Sequence, residues 1–185
     1  MLLLQRKDTI RTPVDINRHQ ELVRLKKKEH AKLFKTLRKS KAKYFDRIIH
    51  DIHDEVFSCT DCLKCANCCK TTTPRVTDRD TDRISKYLRI KASSFEEKYL
   101  KRDDEGDFVM NTLPCPFLMT DNACSIYEVR PKACREFPHT DRAKQIQILH
   151  LTEKNIEVCP AVYEIVEKIK TSDLNKSVAR SRLTR

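Results

Sequence analysis

Five of the chain's nine cysteines fall within eleven positions: Cys59, Cys62, Cys65, Cys68 and Cys69. Four more follow at Cys115, Cys124, Cys134 and Cys159. Thiolates this close repel one another unless a cation or a covalent bond unites them. Metal ligation, redox dithiols and disulfides all meet that need. The cysteine count is odd, which leaves at least one thiol outside any disulfide set. The opening Met1–Asp8 has a short apolar run followed at once by charges, so no secretory leader is expected. No stretch approaches the twenty apolar residues of a membrane span. The expected location is therefore a reducing cytoplasm, where clustered cysteines read as metal ligands, with redox thiols and disulfides as the alternatives.

Cys62, Cys65 and Cys68 repeat at two-residue gaps, which lets a tight loop turn three sulfurs toward one point. Structural zinc sites more often use two separated cysteine pairs. Three cysteines at this spacing with a remote fourth before proline resemble bacterial ferredoxin ligation, and Cys115-Pro116 and Cys159-Pro160 both offer such a cysteine. Neither follows at the short ferredoxin gap, so zinc, iron and an iron–sulfur cluster all stay open. Cys68 and Cys69 are adjacent, and in extended backbone their side chains would point opposite ways, toward two sites or one site and the core. Eight cysteines, Cys59 aside, would fill two four-thiolate sites, or one site plus buried thiols.

The elements that must position these sulfurs are mostly helical. Asp15 is placed to cap a helix through the basic segment. From Leu33 to Val56 apolar residues recur at steps of three and four, with Lys41 as a gap, predicting an amphipathic helix or two in tandem ending before Cys59. His50 and His53 lie on it and are expected at its surface. Residues 59–76 read as an irregular cysteine loop. Thr77 reads as an N-cap for a helix whose stripe is Ile84, Tyr87, Leu88 and Ile90. Ser94-Phe-Glu-Glu97 fits a capping box. Asp103–Asp107 is a turn, and a small hairpin is expected between Phe108 and Ile126, around a second turn at Asp121-Asn122. Pro131 would open a short helix carrying Cys134, and Pro160 a last helix with Val162, Ile165, Val166 and Ile169 on one face. Gln145–Leu151 is ambiguous between strand and helix. The expected class is mainly α with a small β-hairpin (α+β), an irregular, metal-stapled cysteine-rich domain. Its divisions are a basic N-terminal extension with an amphipathic helix (1–54), a cysteine-cluster domain (55–168) and a basic tail (169–185).

Composition narrows the function. The single glycine, Gly106, rules out a Walker A loop and a Rossmann fingerprint. The formal net charge is +11. Residues 1–43 hold 14 Lys and Arg against 4 Asp and Glu, and residues 168–185 hold 6 against 1, whereas 44–167 holds 18 against 22. Basic ends on a mildly acidic body suit a solvated helix face, or weak contact with nucleic acid or an acidic protein. No aromatic residue interleaves Arg24–Lys32, so base stacking has no platform there.

The segment Asp61–Cys69 resembles the CxxCxxCC signature of the YkgJ-type cysteine-cluster family. The later pieces agree in order: Cys115-Pro-Phe-Leu118, Cys124–Pro131, Ala133–Pro138 and Cys159-Pro160. The likeness covers roughly residues 55–168 and implies zinc or iron chelation. It implies Cys62, Cys65, Cys68, Cys69, Cys115, Cys124, Cys134 and Cys159 as ligands, with Cys59 outside the pattern. Related clusters occur in flagellin lysine methylases, which keeps an iron–sulfur enzyme of methyl-transfer or redox type as an alternative to a metal-binding protein. A zinc-stapled nucleic-acid module is the other. Arg130 and Arg135 suit roles beside the thiolates or on an anion, and His139 suits a structural role, a ligand or a proton shuttle.

Overall fold

The computed structural model describes residues 15–172. Residues 1–14 of the basic extension and 173–185 of the tail lie outside the described residues.

Helix α1 spans Ile16–Leu37, and Asp15 caps it by accepting the Arg18 N–H at 3.0 Å. Its apolar stripe buries Val23, Leu33, Phe34 and Leu37. Helix α2 spans Ala42–Phe57 and buries Phe45, Ile49 and Val56. The apolar run from Leu33 to Val56 is thus two helices in tandem, and its first residues close α1 rather than opening a new helix. The break falls where Lys41 would occupy the buried stripe, and Lys41 is extended and exposed instead.

The cysteine segment is more ordered than expected. Asp61 caps a single helical turn, α3 (Cys62–Cys65), and a second, α4 (Asn67–Thr71), follows directly. Ala66 between them sits in the left-handed region at φ 47° and reverses the chain.

Helix α5 (Asp78–Leu88) begins with a reciprocal box in which Thr77 and Asp80 bond each other's backbone N–H. Its stripe is narrower than expected: Ile84 is buried, but Tyr87 is exposed within the helix, and Ile90 is exposed beyond its end, where Arg89 turns left-handed at φ 57°. Helix α6 (Ala92–Tyr99) starts after Lys91, one turn before Phe95 enters the core, so the capping box expected at Ser94 does not exist. The hairpin also differs. Strand β1 (Leu100–Arg102) pairs antiparallel with β2 (Phe108–Met110), so the arms flank the Asp103–Asp107 turn. Asp103 Oδ1 holds that turn by accepting the N–H groups of Glu105 and Asp107 at 3.0 and 2.9 Å. Across the second turn only an isolated bridge, Leu118 with Cys124, forms.

A 3-10 turn at Tyr127–Val129 leads to α7 (Lys132–Glu136), with Pro131 one place earlier than expected, as its cap. Gln145–Leu151 is helical: a 3-10 turn (Gln145–Ile148) runs into α8 (Leu149–Asn155). Helix α9 (Pro160–Thr171) has Pro160 in its first turn and buries Val162, Ile165, Val166 and Ile169, as expected.

Two apolar cores result. One gathers α1, α2, α8 and α9, with Cys159 packed at its edge. The other gathers α5, α6, the hairpin, Phe117 and Ile126, with Cys115 and Cys124 at its edge. Among the described residues the class is mainly helical with one small antiparallel sheet. No helix among the described residues is long and apolar enough to cross a membrane.

Candidate metal centre

All nine cysteines are free thiols. Seven of them sort into two neighbourhoods by which sulfur acts electrostatically on which. Burial first, then Cys69, Cys115 and Cys124, push the Cys134 thiol up to about 12, with Arg130 pulling the other way. Burial likewise raises Cys115, which also feels Cys69 and Cys124. Cys124 is raised by burial and by Cys69, with Arg130 opposing. Cys69, Cys115, Cys124 and Cys134 therefore form one set, drawn from four separate segments. In the other, burial and then Cys62 and Cys65 push Cys159 up to about 11. Cys62 is raised by desolvation, then by Cys65, Asp61 and Cys69, although the residue as a whole is exposed.

Cys69 acts on both sets, through Cys62 as well as its own group, and Cys68 adjoins it. Their sulfurs are 4.0 Å apart on α4, so the opposite pointing expected of extended backbone does not occur. Contact with Cys68, followed by burial, drives the Cys69 thiol far above its ordinary range. Among the described residues no three His, Cys, Asp or Glu side chains converge into a ready metal-holding group. Cys59 bonds back to the carbonyls of Glu55 and Val56 at the end of α2.

The chemistry of the donors fits a thiophilic metal. Every perturbed thiol is raised, so the protein resists holding these sulfurs as bare anions, and a bound cation would reverse that. Backbone amides already favour the anion at three sulfurs: those of Phe117 and Leu118 at Cys115, Ile126 at Cys124, and Val162 and Ala161 at Cys159. Amides directed at sulfur are what thiolate-bound zinc and iron–sulfur centres use to tune their ligands.

Neighbouring polar residues hold the segments in place, and sequence reasoning missed most of them. Asn67 Nδ2 donates to the Val158 carbonyl at 2.7 Å, tying α4 to the Cys159 loop. Asn122, left-handed at φ 65°, donates through Nδ2 to the Leu63 carbonyl at 2.7 Å and ties α3 to the second turn. The Cys115 N–H donates to the Cys69 carbonyl at 2.8 Å. Asp80, 1% exposed, accepts from Thr77, from Arg83 Nη2 at 2.6 Å and from the Lys132 N–H at 3.0 Å, which anchors the start of α7 and so Cys134. Burial pushes its carboxyl up, but these hydrogen bonds outweigh it and hold it below the usual range. Thr77-x-x-Asp80 had the spacing of a capping box. The long-range contacts of Asp80, Asn67 and Asn122 have no local signature.

Arg130 stacks over Tyr127, 3.7 Å from the ring centroid, and donates to the Tyr127 carbonyl at 2.7 Å, with its charge near Cys124 and Cys134. Arg135 is exposed on α7. His139 is left-handed at φ 69° and half-buried, and burial followed by the Arg142 charge lowers its pKa. His50 and His53 are not simple surface groups. They bond the Arg142 carbonyl at 2.9 Å and Thr140 Oγ1 at 2.7 Å, and so clamp the loop beyond His139 onto α2.

Residues 61–160 match the CxxCxxCC family, described as "Putative zinc- or iron-chelating domain". A protein of Methanocaldococcus jannaschii, uncharacterized protein MJ0661, is 33% identical over 82 residues, covering 43% of this chain and 44% of that protein. The chain thus spans less than half the length of this curated relative. No solved structure matches. The family match covers more than half of the chain and runs from the cap of α3 to the first residue of α9, with all eight of its cysteines inside it, so the chain belongs to the CxxCxxCC family.

Proposed function

We propose that this protein is a zinc- or iron-binding protein whose eight family cysteines form two thiolate centres. Cys69, Cys115, Cys124 and Cys134 serve one. Cys62, Cys65 and Cys159 serve the other, and Cys68, the one family cysteine left over and 4.0 Å from Cys69, is assigned to it as its fourth sulfur. The observation that carries this reading is that three separate segments bring Cys69, Cys115 and Cys124 together, through the Cys115 N–H on the Cys69 carbonyl at 2.8 Å and the Leu118–Cys124 bridge, with Cys115 and Cys124 at the edge of one core and the charge of all three acting on Cys134. A bound metal would supply charge neutralisation for a structural centre, or electron transfer if the centre is an iron–sulfur cluster. The family description supports zinc or iron at the coarser level. Nine free thiols support a reducing compartment, and with it a cytoplasmic protein.

The test is metal and acid-labile sulfide content after anaerobic purification, repeated on Cys62→Ser and Cys134→Ser. Each substitution is expected to remove one centre's metal and leave the other's. Iron with sulfide would identify iron–sulfur clusters, and zinc alone a pair of thiolate zinc sites. A single metal per chain, lost with either substitution, would refute the two-centre arrangement.

A further inference from the structure

The outer face of α1 is a cationic ridge that the metal chemistry does not use. Arg24, Lys28, Lys32 and Lys35 are all exposed. At 3.6 residues per turn they fall within about 80° of one another and span about 16 Å along the axis. The buried residues His19, Val23, His30, Leu33, Phe34 and Leu37 occupy the opposite side. Arg18 and Lys26 of the helix are already engaged, with Glu21 and Glu167, as is Arg38 at its C-terminal cap, with Glu153. Among the described residues the four ridge cations carry no ion pair.

Such a ridge could meet a membrane, an acidic protein or a nucleic acid. A membrane-surface helix needs a free apolar face, and that of α1 is packed into the first core, leaving Leu25 as its one exposed large apolar side chain. No aromatic residue accompanies the ridge, so there is no stacking platform for single strands. B-form DNA admits a helix into a major groove about 12 Å wide. Reading base edges there takes forked or amide side chains, whereas three of the four ridge cations are lysines, which offer point charges to phosphates. The wide, shallow minor groove of A-form RNA, which displays phosphates and 2′-hydroxyls, can be met by such a ridge. Beside the ridge, Gln20, Arg24, Lys27 and Glu157 line an open groove, placing an amide and a carboxylate next to two cations. These groups suit the mixed hydroxyl and phosphate surface of ribose.

We propose that the outer face of α1 docks on double-stranded RNA, through its phosphates and 2′-hydroxyls and without reading sequence. The test uses the full chain and fluorescently labelled duplex RNA, with the same sequence as duplex DNA, and with vesicles of anionic lipid. The expected result is RNA binding tighter than DNA binding. Its log affinity should fall against log salt with a slope of about −3 to −4, the value for about four neutralised phosphates. The variant R24Q/K28Q/K32Q/K35Q keeps strong helix formers on a face that packs against nothing, so it should retain the helical signal. It should lose more than about tenfold in affinity. A control with the same charge change on the body, K86Q/K91Q/K98Q/K101Q, should bind as the wild type does. Equal loss in both variants would place the attraction in net charge and overturn the proposal. So would equal affinity for the two duplexes, or binding to vesicles but not to RNA.

Discussion

Glu167 joins the basic helix to the body, and its replacement by Gln gives a sharp test of the packing described above. Its carboxylate accepts from Lys26 at 2.5 Å, from His30 at 2.9 Å and from Lys170 at 2.9 Å, at the seam between α1 and α9. Lys170 in turn reaches Glu29 of α1 at 3.0 Å. Burial pushes the Glu167 carboxyl up, but the bonds from Lys26, His30 and Lys170 outweigh it and lower its pKa from 4.5 to about 2. A shift of that size converts to about 3 kcal/mol. The side chain is 22% exposed, so solvent screening reduces the figure to about 2 kcal/mol. The folded pKa is the depressed one. The contribution is therefore complete above pH 4.5 and is lost as the pH falls from 4.5 toward 2. Glu167→Gln should cost about 2 kcal/mol at pH 7, or about 4–8 °C in Tm for a chain of this size. Urea unfolding of both proteins, followed by helical circular dichroism from pH 7 to pH 2.5, reads the difference. Protonation of other acids and of the cysteines is common to the two and cancels. The gap should hold constant to about pH 5 and then close. A gap under about 0.5 kcal/mol at pH 7, or one that persists unchanged at pH 2.5, would refute the reasoning.

Asp80→Asn should cost about 2–3 kcal/mol in the same assay, because an amide cannot accept from Thr77, Arg83 and the Lys132 N–H together. It should also lower metal retention under chelator challenge through Cys134, and unchanged retention would show that α7 is held by other contacts. Asn67→Ala should cost about 1 kcal/mol for the lost bond to Val158. Metal should leave the Cys159 set before the Cys134 set, as read by metal content of the double variants with Cys62→Ser and Cys134→Ser. Ile165→Ala, at a fully buried position of α9, should cost about 2–5 kcal/mol by urea unfolding.

Much of the candidate site was legible in the chain because its signals are local. Cys62, Cys65 and Cys68 announce themselves by spacing, and Cys115-Pro116 and Cys159-Pro160 by their prolines. Asp15 and Thr77 were recognisable as caps because a capping side chain acts on amides two or three residues away. The stripe of α9 followed from its period of 3.6. Where the reading failed, a longer-range demand overrode a local one. Ser94-Phe-Glu-Glu97 has a capping box's letters, but α6 starts earlier because Phe95 must reach the second core. The arms of the hairpin lie on either side of Gly106, since Leu100 and Met110 pair across that turn and both are buried.

Sequence alone determined the donor chemistry, the helical class and the uneven charge, since residue type, period and composition need no knowledge of what touches what. Only the tertiary structure decided which sulfurs are neighbours. The charge of Cys69 reaches Cys115, Cys124 and Cys134 across as many as 65 positions, and that of Cys62 and Cys65 reaches Cys159 across nearly a hundred. Those meetings depend on α9 packing against α1 and α2, and on Asn67, Asn122 and Asp80 bonding distant backbone groups. Such contacts join segments far apart in the chain, so no short window of sequence contains them.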